Sequence, residues 1–372
     1  MKYRNVEWYY QQALDDVGTK IMDFKTKEPI SAIRLEFVGT NGATHNKSNF
    51  INDVITKIEL VDGSDQLFSL TLKEAQALEF RRTGKMPYIR PGESASGSQN
   101  ESTLILFGRY LWDPEYYLDL TKFTNPQLKI TTNIAAVRAA GATGYLSGSL
   151  KVTVDLHTMP EGATPAKGFM MAKNVRSFTS GTSGDEPTSL PKDYPYVSLM
   201  LRAYAEGMDI DENISKLKID CDTGKFIPLE KYVKDLYKTE EQDLGPAELR
   251  YYLFRKDSET VYHILNHDPI VSVMGRDGND VINVNTCWSG AFMLRFYTGN
   301  TGAAVVAEEL LLFIVKGSCP HSTINVPFGL RMQPETYFNP KDYEDISLVL
   351  TQAAASAVSV VLEQLRSYAA AA

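Results

Sequence analysis

Two stretches of this chain are written twice, and no other feature limits its possible folds so strongly. Ile55-Thr56-Lys57-Ile58-Glu59-Leu60 returns as Ile214-Ser215-Lys216-Leu217-Lys218-Ile219, an offset of 159 positions. The alternating run Ile33-Arg34-Leu35-Glu36-Phe37 returns as Leu199-Met200-Leu201-Arg202-Ala203, an offset of 166. A shorter second loop, Met208 to Asn213 against Thr40 to Asp53, absorbs the difference of seven. Two later pairs extend the series: Leu128 to Thr132 with Leu294 to Thr298, and Leu150 to Val154 with Leu310 to Ile314, at offsets of 166 and 160. A repeat of this length is a whole domain rather than a solenoid unit, so two similar β-domains in tandem are expected.

With 372 residues, 43% of them apolar, each half has enough material for its own core. The formal charge of −8 is spread along the chain without a Lys/Arg cluster, so direct contact with nucleic acid is not expected. Cys221, Cys287 and Cys319 lie far apart with no CxxC spacing, which points to buried free thiols in a protein made in a reducing cytoplasm. The cationic start Met1 to Trp8 has no apolar stretch after it and does not read as a signal peptide.

Along the chain, residues 1–27 read as an N-terminal helical arm. Asn5 caps a helix over 5–17, Gly18 ends it, and Val6, Tyr9, Tyr10, Ala13 and Val17 share one face. That face must dock on its own domain or on a neighbouring subunit. Residues 28–176 form the first domain, with strands expected at Ala32–Val38, Val54–Leu60, Leu67–Leu70, Ser102–Leu111, Tyr116–Leu120, Gln127–Asn133 and Gly148–His157. Lys73–Phe80 reads as a helix before Gly84, and the second copy carries a matching helix at Leu229–Tyr237. Residues 177–191, with Ser-Gly-Thr-Ser-Gly inside, read as the linker, and the Ser/Gly-rich run from Pro91 to Thr103 as a long loop.

The second domain spans 192–332. The tail, 333–372, ends in a helix from about Asp342 to Tyr368 with Ile346, Leu350, Ala354, Ala357, Val361 and Leu365 in one stripe. The uncharged run Ile346–Leu362 just reaches the length of a membrane span, but its Ser, Thr and Gln residues favour a packed amphipathic helix.

No catalytic pattern emerges. The histidines are His45, His157, His263, His267 and His321; His263 and His267 are four apart but lack the glutamate of HExxH and sit in a β-like segment, so no zinc site is assigned. Asp209-x-Asp211-x-Asn213 begins like a calcium loop, yet Ile214 stands where the turn glycine belongs and no glutamate closes it. Asp277-Gly278-Asn279-Asp280 reads as a tight turn. Tyr88, Tyr110, Trp112, Tyr116 and Tyr117 are the densest aromatic group, suited to sugar stacking if exposed and to a core if not. No cofactor is implied.

Two tandem β-domains, a helix inserted at the same place in each, a leading N-terminal helix, a tail helix and no catalytic signature: this arrangement resembles the double jelly-roll major capsid proteins of tailless icosahedral viruses, including membrane-containing phages and archaeal viruses. Ser69-Leu70-Thr71-Leu72-Lys73-Glu74-Ala75-Gln76-Ala77-Leu78, followed by Arg81-Arg82-Thr83-Gly84, is similar to segments of such coat proteins. The resemblance implies an all-β fold of two tandem eight-stranded antiparallel jelly-roll barrels with short inserted helices, plus N- and C-terminal helices. It implies a non-enzymatic subunit, made in a host cytoplasm and located in the virion capsid, that forms pseudo-hexagonal homotrimers. Partners would be other trimers, penton or minor membrane proteins, and an internal lipid membrane met by the uncharged tail. Val6, Tyr9, Tyr10, Ala13, Val17, Ile346, Leu350, Ala357, Val361 and Leu365 are the interface candidates. The rival readings are a carbohydrate- or receptor-binding virion protein built on tandem β-sandwiches, and a glycan-processing hydrolase.

Overall fold

The computed structural model describes residues 3–24, 26–137, 144–160, 163–275, 280–298 and 302–368, with side chains for all of these except 275, 280–287 and 298. The first copy comprises β1 (Arg4–Ala13), β2 (Val17–Asp23), β3 (Ile30–Thr40), α1 (Ile51–Val54), β4 (Ile55–Asp62), β5 (Asp65–Leu70), α2 (Leu72–Thr83), the short β6 (Ile89–Arg90), β7 (Ser98–Leu106), β8 (Pro126–Asn133) and β9 (Lys151–Thr158). The second opens with β10 (Gly168–Thr179), β11 (Asp185–Ser189), β12 (Tyr196–Tyr204), α3 (Ile210–Asn213), β13 (Ile214–Cys221), β14 (Phe226–Tyr232) and α4 (Val233–Leu244). An insertion follows: β15 (Ala247–Arg255), β16 (Thr260–Tyr262), β17 (Leu265–Gly275), β18 (Asp280–Trp288), β19 (Ala291–Thr298) and β20 (Glu309–Pro320). The copy then closes with β21 (Thr323–Pro327), β22 (Ile346–Gln352) and β23 (Ala357–Ser367).

The duplication holds strand for strand. In the first copy the sheets run β1-β9-β3-β7 and β2-β8-β4-β5; in the second, β10-β23-β12-β21 and β11-β22-β13-β14. Even the irregularities recur, because the ladder slips between Ile55 and Lys57 in β4 and between Ile214 and Lys216 in β13. Asp62 accepts the backbone N–H groups of Thr124 and Asn125, and Asp222 those of Glu344 and Asp345. A parallel contact between β5 and β10, Ala172 beside Phe68, fuses one sheet of each copy into an eight-stranded sheet.

Four expectations need correction. The segment read as an N-terminal helix is β1, paired antiparallel with β9 from Arg4–Thr158 to Ala13–Lys151. Its aromatic and β-branched residues suit a pleated edge, and the free edges of both sheets accept β1 and β2. The segment read as a linker is the second copy's version of the same arm, since β10 pairs with β23 as β1 pairs with β9. Among the described residues the tail has no α-helix: after two short 3-10 turns at Pro334–Thr336 and Pro340–Asp342, Ile346–Leu362 spans β22 and most of β23. β23 is buried along nearly its whole length because neighbouring strands flank it and a core lies on each face, which makes a strand read as a continuous apolar run. The two later repeat pairs are also wrong. β8 and β9 answer to β22 and β23, whereas Leu294 and Leu310 lie in β19 and β20 of the insertion.

The helices inserted after β5 and β14 are as expected, though the second is α4, starting at Val233 after a strand. Thr71 caps α2 reciprocally with Glu74, and Gly84 closes it at φ 69° in the left-handed region. Of the expected loop 91–103, the part from Ser98 is β7. Tyr116–Leu120 makes only isolated bridges. The turn at Asp277–Asp280 lies outside the described residues except for Asp280. Among the described residues no helix is long and apolar enough to cross a membrane. Cys221 and Cys319 are free and buried; the Cys287 side chain lies outside the described set.

Each copy has its own core. Ile33, Leu35, Phe37, Ile58, Leu60, Ile130 and Val154 fill the first, and Leu199, Leu201, Leu217, Ile219, Leu348, Leu350 and Val360 fill the second. The insertion folds into two three-stranded sheets, β15-β20-β17 and β16-β19-β18. Phe292, Phe296 and Phe313 lie between them, and Phe50, Phe80 and Ile89 of the first copy complete that third core.

Candidate functional site

Two regions stand out, a polar seam inside the molecule and an uncovered sheet face outside it. The seam is built by α2, whose Arg81 and Arg82 follow one another at its C-terminal end and reach into the second copy. Arg81 donates to the Thr323 hydroxyl at 2.8 Å and carbonyl at 2.9 Å, and its Nε lies 2.6 Å from Glu240 on α4. Arg82 donates to Glu363 of β23 at 2.6 Å, with both side chains buried. Ser198 donates to the same carboxylate at 2.9 Å. Burial alone would raise the Glu363 carboxyl, but the charges of Arg82 and Arg331 outweigh it and hold the group below its ordinary range.

Next to this pair, Gln76 donates to Glu101 at 3.0 Å and its amide oxygen lies 2.9 Å from His321 Nε2. Burial, reinforced by Lys73, Arg202 and Arg81, depresses His321 well below the usual histidine value. Its neutral ring donates from Nε2. Glu79 is pushed up to about 7 by burial, against the Leu104 N–H at 2.7 Å. Arg81, Arg82 and Gln76 tie the first copy to the second.

The uncovered face belongs to β15-β20-β17. Alternation turns Leu249, Tyr251 and Leu253 inward and Tyr252 and Phe254 outward. The register sets Tyr252 beside Leu312 and Leu312 beside Met274. Tyr252 is 60% exposed, Ile270 70% and Met274 49%, with Tyr88 exposed nearby across a cleft shared with Tyr252. A row of large apolar side chains on an open sheet marks a contact surface.

The structure disperses the expected interface set. Val6, Tyr10, Ala13 and Val17 are exposed on the arm, while Tyr9 packs against the first core. Ile346, Leu350, Val361 and Leu365 are buried core residues and Ala357 alone is exposed, so the tail stripe is not an interface. Of the aromatic group, Tyr116 and Tyr117 are buried and Tyr88 and Tyr110 exposed, so no shared stacking platform forms. His263 accepts the Leu265 N–H and lies over Phe292. Sequence reasoning singled out Arg81 and Arg82 only for a resemblance and missed their role, and it missed Glu363 and the β15-β20-β17 face, all products of contacts between distant segments.

Two sheets per copy, the same strand order in both, and a shared central sheet define a double jelly roll. No protein-family model matches the chain, and no curated protein sequence does. Solved structures do. The major capsid protein of Sulfolobus turreted icosahedral virus superposes with a TM-score of 0.62 at 11% identity, over 98% of this chain and 97% of that one. The major capsid protein P2 of bacteriophage PM2 gives 0.54 at 9% identity over 99% and 98%. PBCV-1 VP54 gives 0.55 at 10% identity over 98% and 93%. At such identities the shared property is the fold.

Proposed function

We propose that this chain is a major capsid subunit, a structural protein that forms homotrimers tiling the shell of an icosahedral virion. The observation that carries the reading is the coincidence of strand order between the two copies over a fold shared, nearly end to end, with capsid proteins. Two equivalent barrels per chain let three chains offer six similar faces, so a threefold assembly fits a hexagonal lattice. The seam supports the same reading, because a tile keeps its shape only if its barrels do not hinge. The uncovered face with Tyr252, Ile270 and Met274 is read as a contact with another copy, as is the exposed side of the arm with Val6, Tyr10 and Val17. Further trimers, penton or minor virion proteins complete the partners of this reading. An internal membrane is not assigned to the tail, whose apolar residues are core.

Light scattering on the full chain after size exclusion should give three times the 41.5 kDa chain mass. A monomer at every accessible concentration would overturn the proposal.

A further inference from the structure

Outside the seam, one cluster is built from residues that the trimer reading does not use. Asp209 caps α3, Asp211 is its second residue, and His267 lies on β17 of the insertion. One side-chain ligand atom from each lies within 4.8 Å of the others. His267 is 5% exposed; among the described residues its Nδ1 makes no hydrogen bond in the single chain, and Nε2 stands 3.6 Å from both Asp209 Oδ2 and Asp211 Oδ1. The imidazole is clamped in this aim by the Tyr237 ring, 3.7 Å away between centroids. On the other side of the ring, Asp268 Oδ2 is 3.1 Å from Nδ1.

The first copy supplies an internal comparison. At the offset of 159, Asp209 and Asp211 correspond to Phe50 and Asn52 of α1. A short helix at this place therefore needs neither acid to form, and in the first copy Phe50 packs into the insertion core instead.

We propose that Asp209, Asp211 and His267 form a binding site for a divalent transition-metal ion of the zinc class, clasping the insertion to the second barrel. Ligand atoms around a tetrahedral ion at about 2.0–2.2 Å are about 3.4 Å apart, close to the two His–Asp distances here. One imidazole with two carboxylates and a remaining position for water suits zinc better than calcium, which takes six to eight oxygen ligands. Asp268 would take the Nδ1 proton and orient the ring, making it a positioning residue.

The test uses full-length protein stripped with chelator, then titrated calorimetrically with Zn²⁺ alone, with Co²⁺ absorption reporting the ligand geometry. One ion per chain and tetrahedral Co²⁺ bands are expected. His267→Ala and Asp211→Asn should each weaken binding by at least about 100-fold, and Asp268→Asn by about tenfold. His45→Ala, at an exposed histidine outside the cluster, should leave affinity unchanged. Asp211 is partly exposed, so its variant should stay folded even where His267→Ala does not. Absence of a stoichiometric site, or affinity unaltered in Asp211→Asn, would overturn the proposal.

Discussion

Arg82 and Glu363 are 281 positions apart in sequence and meet inside the molecule. Breaking such a pair leaves a buried charge without its partner, a loss of about 3–5 kcal/mol in comparable sites. Arg82→Met should lower the urea midpoint accordingly, and the double change Arg82→Met with Glu363→Met should recover part of it in a mutant cycle. Two buried groups give opposite dependences on pH. Glu79, lifted from 4.5 to about 7, keeps in the folded state a proton that the unfolded chain has released, so stability falls as pH rises through that window. Glu79→Gln should gain on the parent protein between pH 4.5 and 7, by at most about 3 kcal/mol, and no further above it. For His321 the sign reverses. Its folded pKa is depressed, so the unfolded chain takes up a proton first and stability falls as pH drops below 6.5. His321→Gln should lose less than the parent on acidification, and urea titrations at several pH values read both effects.

Among the elements, β1 with β2 and β10 with β11 show how tertiary context overrides a local pattern. Val6, Tyr9, Tyr10 and Ala13 are spaced as a helix face, but the edges of two sheets offer unpaired backbone groups and the segment joins them as strand. The Ser/Gly-rich stretch between the copies tells the same story, since within 177–191 only Ser180–Gly184 and the last two residues, Leu190 and Pro191, lie outside β10 and β11. β22 and β23 lie at the centre of the second copy. Truncation at Asp345 should abolish the cooperative unfolding of that copy and expose the β10 edge, seen as loss of near-UV circular dichroism with aggregation. A truncated chain that stays soluble with a native spectrum would contradict this placement. Legibility at this scale followed burial. α2, with its cap at Thr71 and stop at Gly84, was readable because those signals are local, whereas β23 was mistaken for a helix because a strand buried on both faces loses its alternation.

At the scale of the molecule, the insertion between α4 and β21 is the main difference between the copies. It is tied to the first barrel by the buried ion pair of Arg255 with Glu93 and by Lys47 between Glu259 and Glu308. Among the described residues nothing covers the Tyr252 and Met274 side of its outer sheet. Tyr252→Glu with Met274→Glu, both on exposed positions, should leave the unfolding midpoint nearly unchanged. The same change should reduce the trimer to smaller species in light scattering, and an unaltered trimer would move the interface to another face.

The amino-acid order alone determined that there are two β-domains, where their first equivalent strands lie, and which helix each carries, because period-two alternation, capping residues and duplicated hexamers are all local information. Which strands pair, and hence that the arm, the linker and the end of the tail supply strands, was decided only by tertiary structure. The same holds for the union of Asp209 and Asp211 with His267. A strand's partner and a cluster's members are chosen by chain closure across hundreds of residues, and alternation is identical for every half-buried strand whatever lies beside it.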